Sequence, residues 1–329
     1  MKHSTLPLFA VATMMASFPF VLAPAPAHAD EAACLAQADS GWSDPEQWAW
    51  KKICAGEEAN FSEKLKNKKW FGRDNDNDWW GDDKADKRRL LSPRFLASIL
   101  ADKDFTAVVP DYGVRLVGVW VRDRLSVRKG SIPFYVSLVG VRFDKPVSFA
   151  NSTFAEALDM TGISIDGDFD LAGLQAGETV EITGIHVDRD FALNGGARLK
   201  RLKITGGDIE GSLSLASSTI ERGLELTGIN IEGDLAMNDG ARFGDISLTG
   251  ANIDDDLLLD GTTVDGNITI SGVNIDGDLM MEKGKFRSLN LTAANIGGAL
   301  RRDGASFKGA VNMTVVSIGD EDENDDDDN

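Results

Sequence analysis

The residues best suited to chemistry are acids that return beside glycine at fixed spacing. Ile231-Glu232-Gly233-Asp234, Ile253-Asp254-Asp255-Asp256 and Ile275-Asp276-Gly277-Asp278 follow one another at intervals of 22 residues. Counted from the apolar residue that opens each motif, the next position carries Asp144, Asp166, Asp188, Glu210, Glu232, Asp254 and Asp276. Three positions on stand Asp168, Asp190, Ser212, Asp234, Asp256 and Asp278. Carboxylate oxygens are hard ligands, and Ca²⁺ gathers several of them at once. The candidate metal ligands are therefore Asp166, Asp168, Asp188, Asp190, Asp234, Asp254, Asp256, Asp276 and Asp278. Two other readings stay open for the same residues: hydrated turn acids, or a docking surface for a basic protein.

Other candidates are few. Asp74, Asp76 and Asp78 alternate as in an EF-hand loop, but Trp79 stands where that loop needs glycine and Ala85 where it needs the closing glutamate. A looser oxygen cluster is the residual possibility there. Trp79 and Trp80 sit among acids and form a candidate partner surface, together with Arg122 and Arg124 at the start of the repeats. His186 is the one histidine beyond residue 28, and its place in the repeat marks it as a corner residue rather than a general base. No Ser/His/Asp set, zinc spacing or phosphate loop accompanies it, so the expected catalytic set is empty and no cofactor beyond Ca²⁺ is indicated.

What positions the acids is a repeat. The opening apolar residue falls at Val121, Phe143, Ile165, Val187, Ile209, Ile231, Ile253, Ile275, Ile296 and Ile318, so nine intervals cover 197 residues and only one is 21. A fixed period of this length marks a solenoid. Within each unit apolar residues come in pairs two apart, such as Leu257 with Leu259 and Ile268 with Ile270, which is the alternation of strands. Glycine recurs three residues before the marker, at Gly162, Gly184, Gly206, Gly228, Gly250 and Gly272, and implies a corner that needs positive φ or no side chain. The expected fold is an all-β solenoid, a parallel β-helix of nine to ten coils over 106–319. Its 11-residue half-repeat suggests a rectangular coil with two wider sides.

Ala251-Asn252-Ile253, with Ile229-Asn230-Ile231 and Val273-Asn274-Ile275, resembles the Ala-(Asp/Asn)-Leu unit of pentapeptide-repeat proteins. The likeness covers about residues 110–318 through apolar spacing and the column Asn230, Asn252, Asn274 and Asn295. It implies a right-handed quadrilateral β-helix and no catalytic residues. The coils here have 22 residues where that family has 20. Bactofilins, whose coils are shorter, are a weaker likeness.

The ends differ from the repeat. Residues 1–29 have a short positive start, an apolar run and Ala27-His28-Ala29, the features of a secretory signal with its cleavage site. Export to the periplasm or the extracellular space follows, and with it an oxidising setting in which Cys34 and Cys54 form a disulfide; two free thiols are the alternative. No later stretch reaches the ~20 apolar residues needed to span a bilayer. Residues 30–105 read as a Trp-rich helical cap, with Ser43 and Pro45 opening one helix and Ser92 and Pro93 another. Residues 320–329, with eight acids, read as a disordered tail.

The net charge of −19 excludes nucleic acid as a natural partner and favours cations. Basic residues in the first coils and acidic columns beyond them suggest head-to-tail self-association. The leading expectation is a non-enzymatic exported scaffold that contacts Ca²⁺, a basic protein or another cell-envelope component. A polysaccharide-binding or polysaccharide-cleaving β-helix is the alternative, followed by a DNA mimic.

Overall fold

The computed structural model describes residues 31–64 and 87–319. Residues 1–29, read above as a secretory signal, Asp74 to Asp78, Trp79, Trp80 and residues 320–329 lie outside them. From Val114 onward the chain winds as a β-solenoid in which every strand pairing is parallel. One side of the coil forms a nine-stranded sheet, and the other three share a 21-stranded sheet that bends around the corners. The pairing register equals the repeat: Ile253 lies beside Ile231 and Ile275, and Leu257 beside Leu235 and Leu279.

Each coil has four sides, alternately short and long. In the coil that begins at Ile253, a short side buries Ile253, a long side Leu257 and Leu259, a second short side Val264, and a second long side Ile268 and Ile270. The rectangle inferred from the half-repeat is the observed cross-section, and the isolated apolar residues are the single inward residues of its short sides. Phe169, Phe191, Phe243 and Phe286 all point into this core. Phe169 and Phe191 stack one above the other with ring centroids 4.7 Å apart. About six buried apolar side chains per coil, at roughly 1.5–3 kcal/mol each, leave a single coil unable to hold its shape alone, and stacking supplies the rest.

The marker-minus-three glycines hold φ between 56° and 75° from Gly118 to Gly272. Ala293 and Val315 take the same corner in the last two coils, with φ of 51° and 54°. L-residues adopt that region at a cost, most of all a β-branched one.

The N-terminal end is covered. Helix Glu31–Ala36 is joined to helix Asp44–Cys54 by the Cys34–Cys54 disulfide. Gly56, just past the second helix, has φ of 67°. Helix Pro93–Ala101, with Ser92 accepting from the Phe95 amide, lies against the first-coil strands Leu125–Ser126 and Ser131–Ile132. Strand Ala59–Asn60 pairs with Leu116–Val117 and so occupies part of the first coil's open edge. Tryptophans make the core of this cap: Trp42 packs edge-on to Phe95 at 4.8 Å and to Trp50 at 5.7 Å, and Trp48 sits against Phe61. Glu46 is buried where the two longer helices begin. One of its oxygens accepts from the Ser43 amide and hydroxyl, at 2.8 and 2.7 Å, and the other from the Ser92 amide and hydroxyl. Burial works against the charged form, yet the bonds from Ser92 and Ser43 prevail and hold its carboxyl below the usual range.

The other end is open among the described residues. Val311, Met313, Val315 and Ile318 of the last coil are exposed. Among the described residues the two ends are thus unlike, one carrying a helical cover and the other exposing the apolar residues of its last coil.

Candidate functional site: an acidic and amide stripe on one short side

The short side that buries Ile231, Ile253 and Ile275 points the residues on either flank of them outward, since alternate residues of a strand face opposite ways. Two parallel columns result. The first holds Trp120, Arg142, Ser164, His186, Asp208, Asn230, Asn252, Asn274 and Asn295, and the second Arg122, Asp144, Asp166, Asp188, Glu210, Glu232, Asp254 and Asp276. Successive coils are about 4.8 Å apart, the spacing of paired strands.

The first column knits itself together. The Asn274 amide donates to the Asn252 side-chain oxygen at 3.0 Å, Asn295 donates to Asn274 at 2.6 Å, and Asn230 donates to Asp208 at 2.9 Å. Asn252 also donates sideways to Asp254 at 2.6 Å, and Asn274 to Asp276. Asn252 and Asn274 therefore each hold an acid of the second column in place.

Charge along the second column changes from end to end. At its start Arg142 reaches Asp144 at 2.7 Å and Asp166 at 3.1 Å, while Arg122 stacks over the Trp120 ring at 4.9 Å and lies 3.9 Å from Asp144. Burial chiefly, with the like charges of Asp188 and Asp144, pushes the Asp166 carboxyl above its ordinary range despite Arg142. From Glu210 to Asp276 the acids are exposed, and among the described residues no lysine or arginine pairs with Glu210, Glu232, Asp254 or Asp276. An adjoining long side behaves differently. There Lys200 pairs with Glu178 at 2.5 Å, Lys203 with Glu181 at 2.7 Å, and Arg201 with Glu225, all across coils.

The acids three positions after the marker have another task. Asp190 accepts the Ser212 amide at 3.0 Å, Asp234 that of Asp256 at 3.0 Å, Asp256 that of Asp278 at 2.7 Å, and Asp278 that of Ala299 at 2.8 Å. Ser212, which interrupts the column, accepts the Asp234 amide through its hydroxyl at 3.1 Å. This column adds side-chain bonds to the inter-coil ladder at the corner, beside main-chain bonds such as that of the Gly277 amide to the Asp255 carbonyl at 3.1 Å. The glycine before it follows from the same contact: a Cβ on Gly277 would lie 2.3 Å from an Asp256 carboxylate oxygen and 2.8 Å from the Asp255 carbonyl. Asp168 lies apart, lining a shallow cleft with Arg124, Arg128 and Asp170. Arg124 thus faces that cleft, while Arg122 belongs to the stripe.

The candidate ligands accordingly fall into two columns with different surroundings. Asp166, Asp188, Asp254 and Asp276 stand on the stripe, and Asp190, Asp234, Asp256 and Asp278 each have one oxygen committed to an amide. Among the described residues, one group of three brings its ligand atoms within 4.8 Å of one another: His186, Asp188 and Glu210. His186 is not at a corner; it is the last residue but one of strand Gln175–Val187, with its imidazole outward, its Nε2 3.1 Å from Asp188 Oδ1 and 3.8 Å from Glu210 Oε1. Glu210 and His186 were absent from the candidates read in sequence. Writing the repeat in rows of 22 sets His186 and Asp188 directly beside Asp208 and Glu210, and that is the signal that finds them. No protein-family model, curated protein or solved structure matches the chain.

Proposed function

We propose that this protein is an exported, non-enzymatic scaffold whose solenoid offers the stripe from Glu210 to Asp276 to a basic partner of the cell envelope. The observation that carries the reading is the contrast between neighbouring sides. On the adjoining long side Lys200, Arg201 and Lys203 pair with acids across coils, whereas the stripe acids from Glu210 to Asp276 stand in single file without lysine or arginine among the described residues. A row of like charges one coil apart opposes stacking by up to about 1 kcal/mol per neighbour in water, before salt screens it. Retaining such a row beside a long side that pairs Lys200, Arg201 and Lys203 with acids across coils points to an occupant that brings positive charge. An extended basic segment suits the row better than a caged ion, because single-file carboxylates offer a cation too few oxygens per level for the coordination Ca²⁺ prefers. Export rests on the leader-like residues 1–29, and kinship on the likeness to pentapeptide repeats.

Thermal melts in EDTA, in millimolar Ca²⁺, in millimolar Mg²⁺ and with a Lys-rich peptide separate the occupants. The reading expects the peptide to raise the melting temperature at low salt and lose that effect at high salt, with Ca²⁺ and Mg²⁺ nearly equivalent. A calcium-selective rise of several degrees, with no effect of peptide, would replace the basic partner by a bound ion.

A further inference from the structure

From the group His186, Asp188 and Glu210 we infer a mononuclear site for a borderline divalent transition metal, with Zn²⁺ the favoured ion. It goes beyond the docking reading and does not depend on it, because it needs three side chains of two coils rather than the whole stripe.

The ligand set decides the class of metal. One imidazole nitrogen with two carboxylate oxygens suits zinc and its neighbours in the first transition row, whereas Ca²⁺ and Mg²⁺ want oxygen alone. The dimensions agree. Zinc bonds of roughly 2.0–2.2 Å set tetrahedral ligand atoms about 3.4 Å apart. The imidazole Nε2 lies 3.1 Å from Asp188 Oδ1 and 3.8 Å from Glu210 Oε1, and all three ligand atoms fall within 4.8 Å of one another.

The scaffold sets the backbone positions of the three ligands without help from a metal. His186 pairs with Asp208 and Val187 with Ile209 in the parallel register. The Glu210 amide donates to the Val187 carbonyl at 2.9 Å, the His186 amide to Ile163 at 2.8 Å, and the Asp188 amide to Ile165 at 3.1 Å. The main-chain bonds fix the spacing of the three Cα positions, so binding has only the side-chain rotamers left to order. Among the described residues no lysine or arginine pairs with Asp188 or Glu210, so His186 is their sole cationic partner, and only when protonated. Asp208, beside His186 in the register, adds negative charge at the rim while accepting from Asn230.

The side chains are 39–46% exposed, so an entering ion meets no barrier and at least one coordination position faces water. Three protein ligands and an open position are the arrangement that lets zinc hold a water or an exchangeable ligand. The open position would take a water or a donor atom of a bound partner.

Co²⁺, which takes the place of Zn²⁺ and absorbs in the visible when four-coordinate, gives the test. Untagged purified protein is titrated with Co²⁺ and then with Zn²⁺, beside His186→Asn, Glu210→Gln and, as control, Glu232→Gln. Asparagine is the residue that later coils place in the His186 column, so the first variant keeps a side chain the fold accepts. The inference expects one equivalent of Co²⁺ with tetrahedral absorption, displaced by Zn²⁺ and indifferent to millimolar Ca²⁺. Affinity should drop at least tenfold in His186→Asn and in Glu210→Gln and stay within twofold in Glu232→Gln. No saturable binding at one equivalent, or binding unchanged in both His186→Asn and Glu210→Gln, overturns it.

Discussion

Replacing Glu46 by glutamine tests how the cap is held on the solenoid. The carboxylate accepts four hydrogen bonds, two from Ser43 and two from Ser92, and it is buried between two helix starts. Glutamine keeps the shape but turns one acceptor into a donor. A serine hydroxyl rotates to accommodate that change, whereas a backbone amide cannot, so one buried amide loses its partner at about 1–3 kcal/mol. The remaining bonds fall from charge-assisted to neutral strength, roughly another 1 kcal/mol together. The expected loss is about 2–4 kcal/mol, confined to the cap because a repeat array unfolds piecewise. Tryptophan fluorescence reports the cap through Trp42, Trp48 and Trp50, and far-ultraviolet circular dichroism reports the coils. In urea the fluorescence transition should move to lower concentration while the dichroism transition hardly shifts. The folded-state pKa of Glu46 is depressed, so its contribution is complete above the ordinary carboxyl value of 4.5 and is lost as pH falls through the lower folded value. Acidification below 4.5 should therefore weaken the wild-type cap more than the variant. A cap transition within 0.5 kcal/mol of wild type, with the same acid sensitivity, would refute the reasoning.

Three further substitutions probe the solenoid and its staple. Val315→Gly should stabilise the last coil by about 1 kcal/mol, because a β-branched residue there holds φ of 54° at a corner that eight earlier coils give to glycine; hydrogen exchange of the Val311–Thr314 amides checks it. Leu235→Ala, at a fully buried position of a central coil, should cost about 2–5 kcal/mol and split the melt into two steps around the weakened coil. Reducing Cys34–Cys54, or replacing both with serine, should lower cap stability by about 3 kcal/mol on loop-entropy grounds and leave the coil melt in place.

Much of this architecture could be read from sequence because a solenoid writes one local rule many times. The Leu257 and Leu259 pair, the Gly250 and Gly272 corner and the Asn252 column each recur at one period, so chance matches cancel and burial follows from phase alone. Ser92 with Pro93 marks its helix for the same local reason. What stayed hidden depends on contacts far apart in sequence or on which way a side chain turns. Ser43 and Glu46 form a capping box, but the bonds of Glu46 to Ser92 cross 46 residues and no motif announces them. Asp256 and Asp254 look equivalent on paper, yet one bonds the amide of Asp278 and the other faces water beside Asn252. The place of His186 in the asparagine column suggests a corner residue, whereas its contact with Glu210 joins that column to the acidic one in the next coil.

The central claim is that the stripe, rather than overall negative charge, is the binding face. Its most direct test compares two variants of equal charge: Glu232→Gln with Asp254→Asn and Asp276→Asn on the stripe, and Glu221→Gln with Asp239→Asn and Asp265→Asn on other parts of the coil. Affinity for a Lys-rich peptide is measured at two salt concentrations. Three exposed contacts at roughly 0.5 kcal/mol each predict about a tenfold loss for the stripe variant, with a shallower salt dependence, and less than a twofold loss for the control. Equal losses in the two variants would contradict the account and reduce the stripe to one part of a uniformly acidic surface.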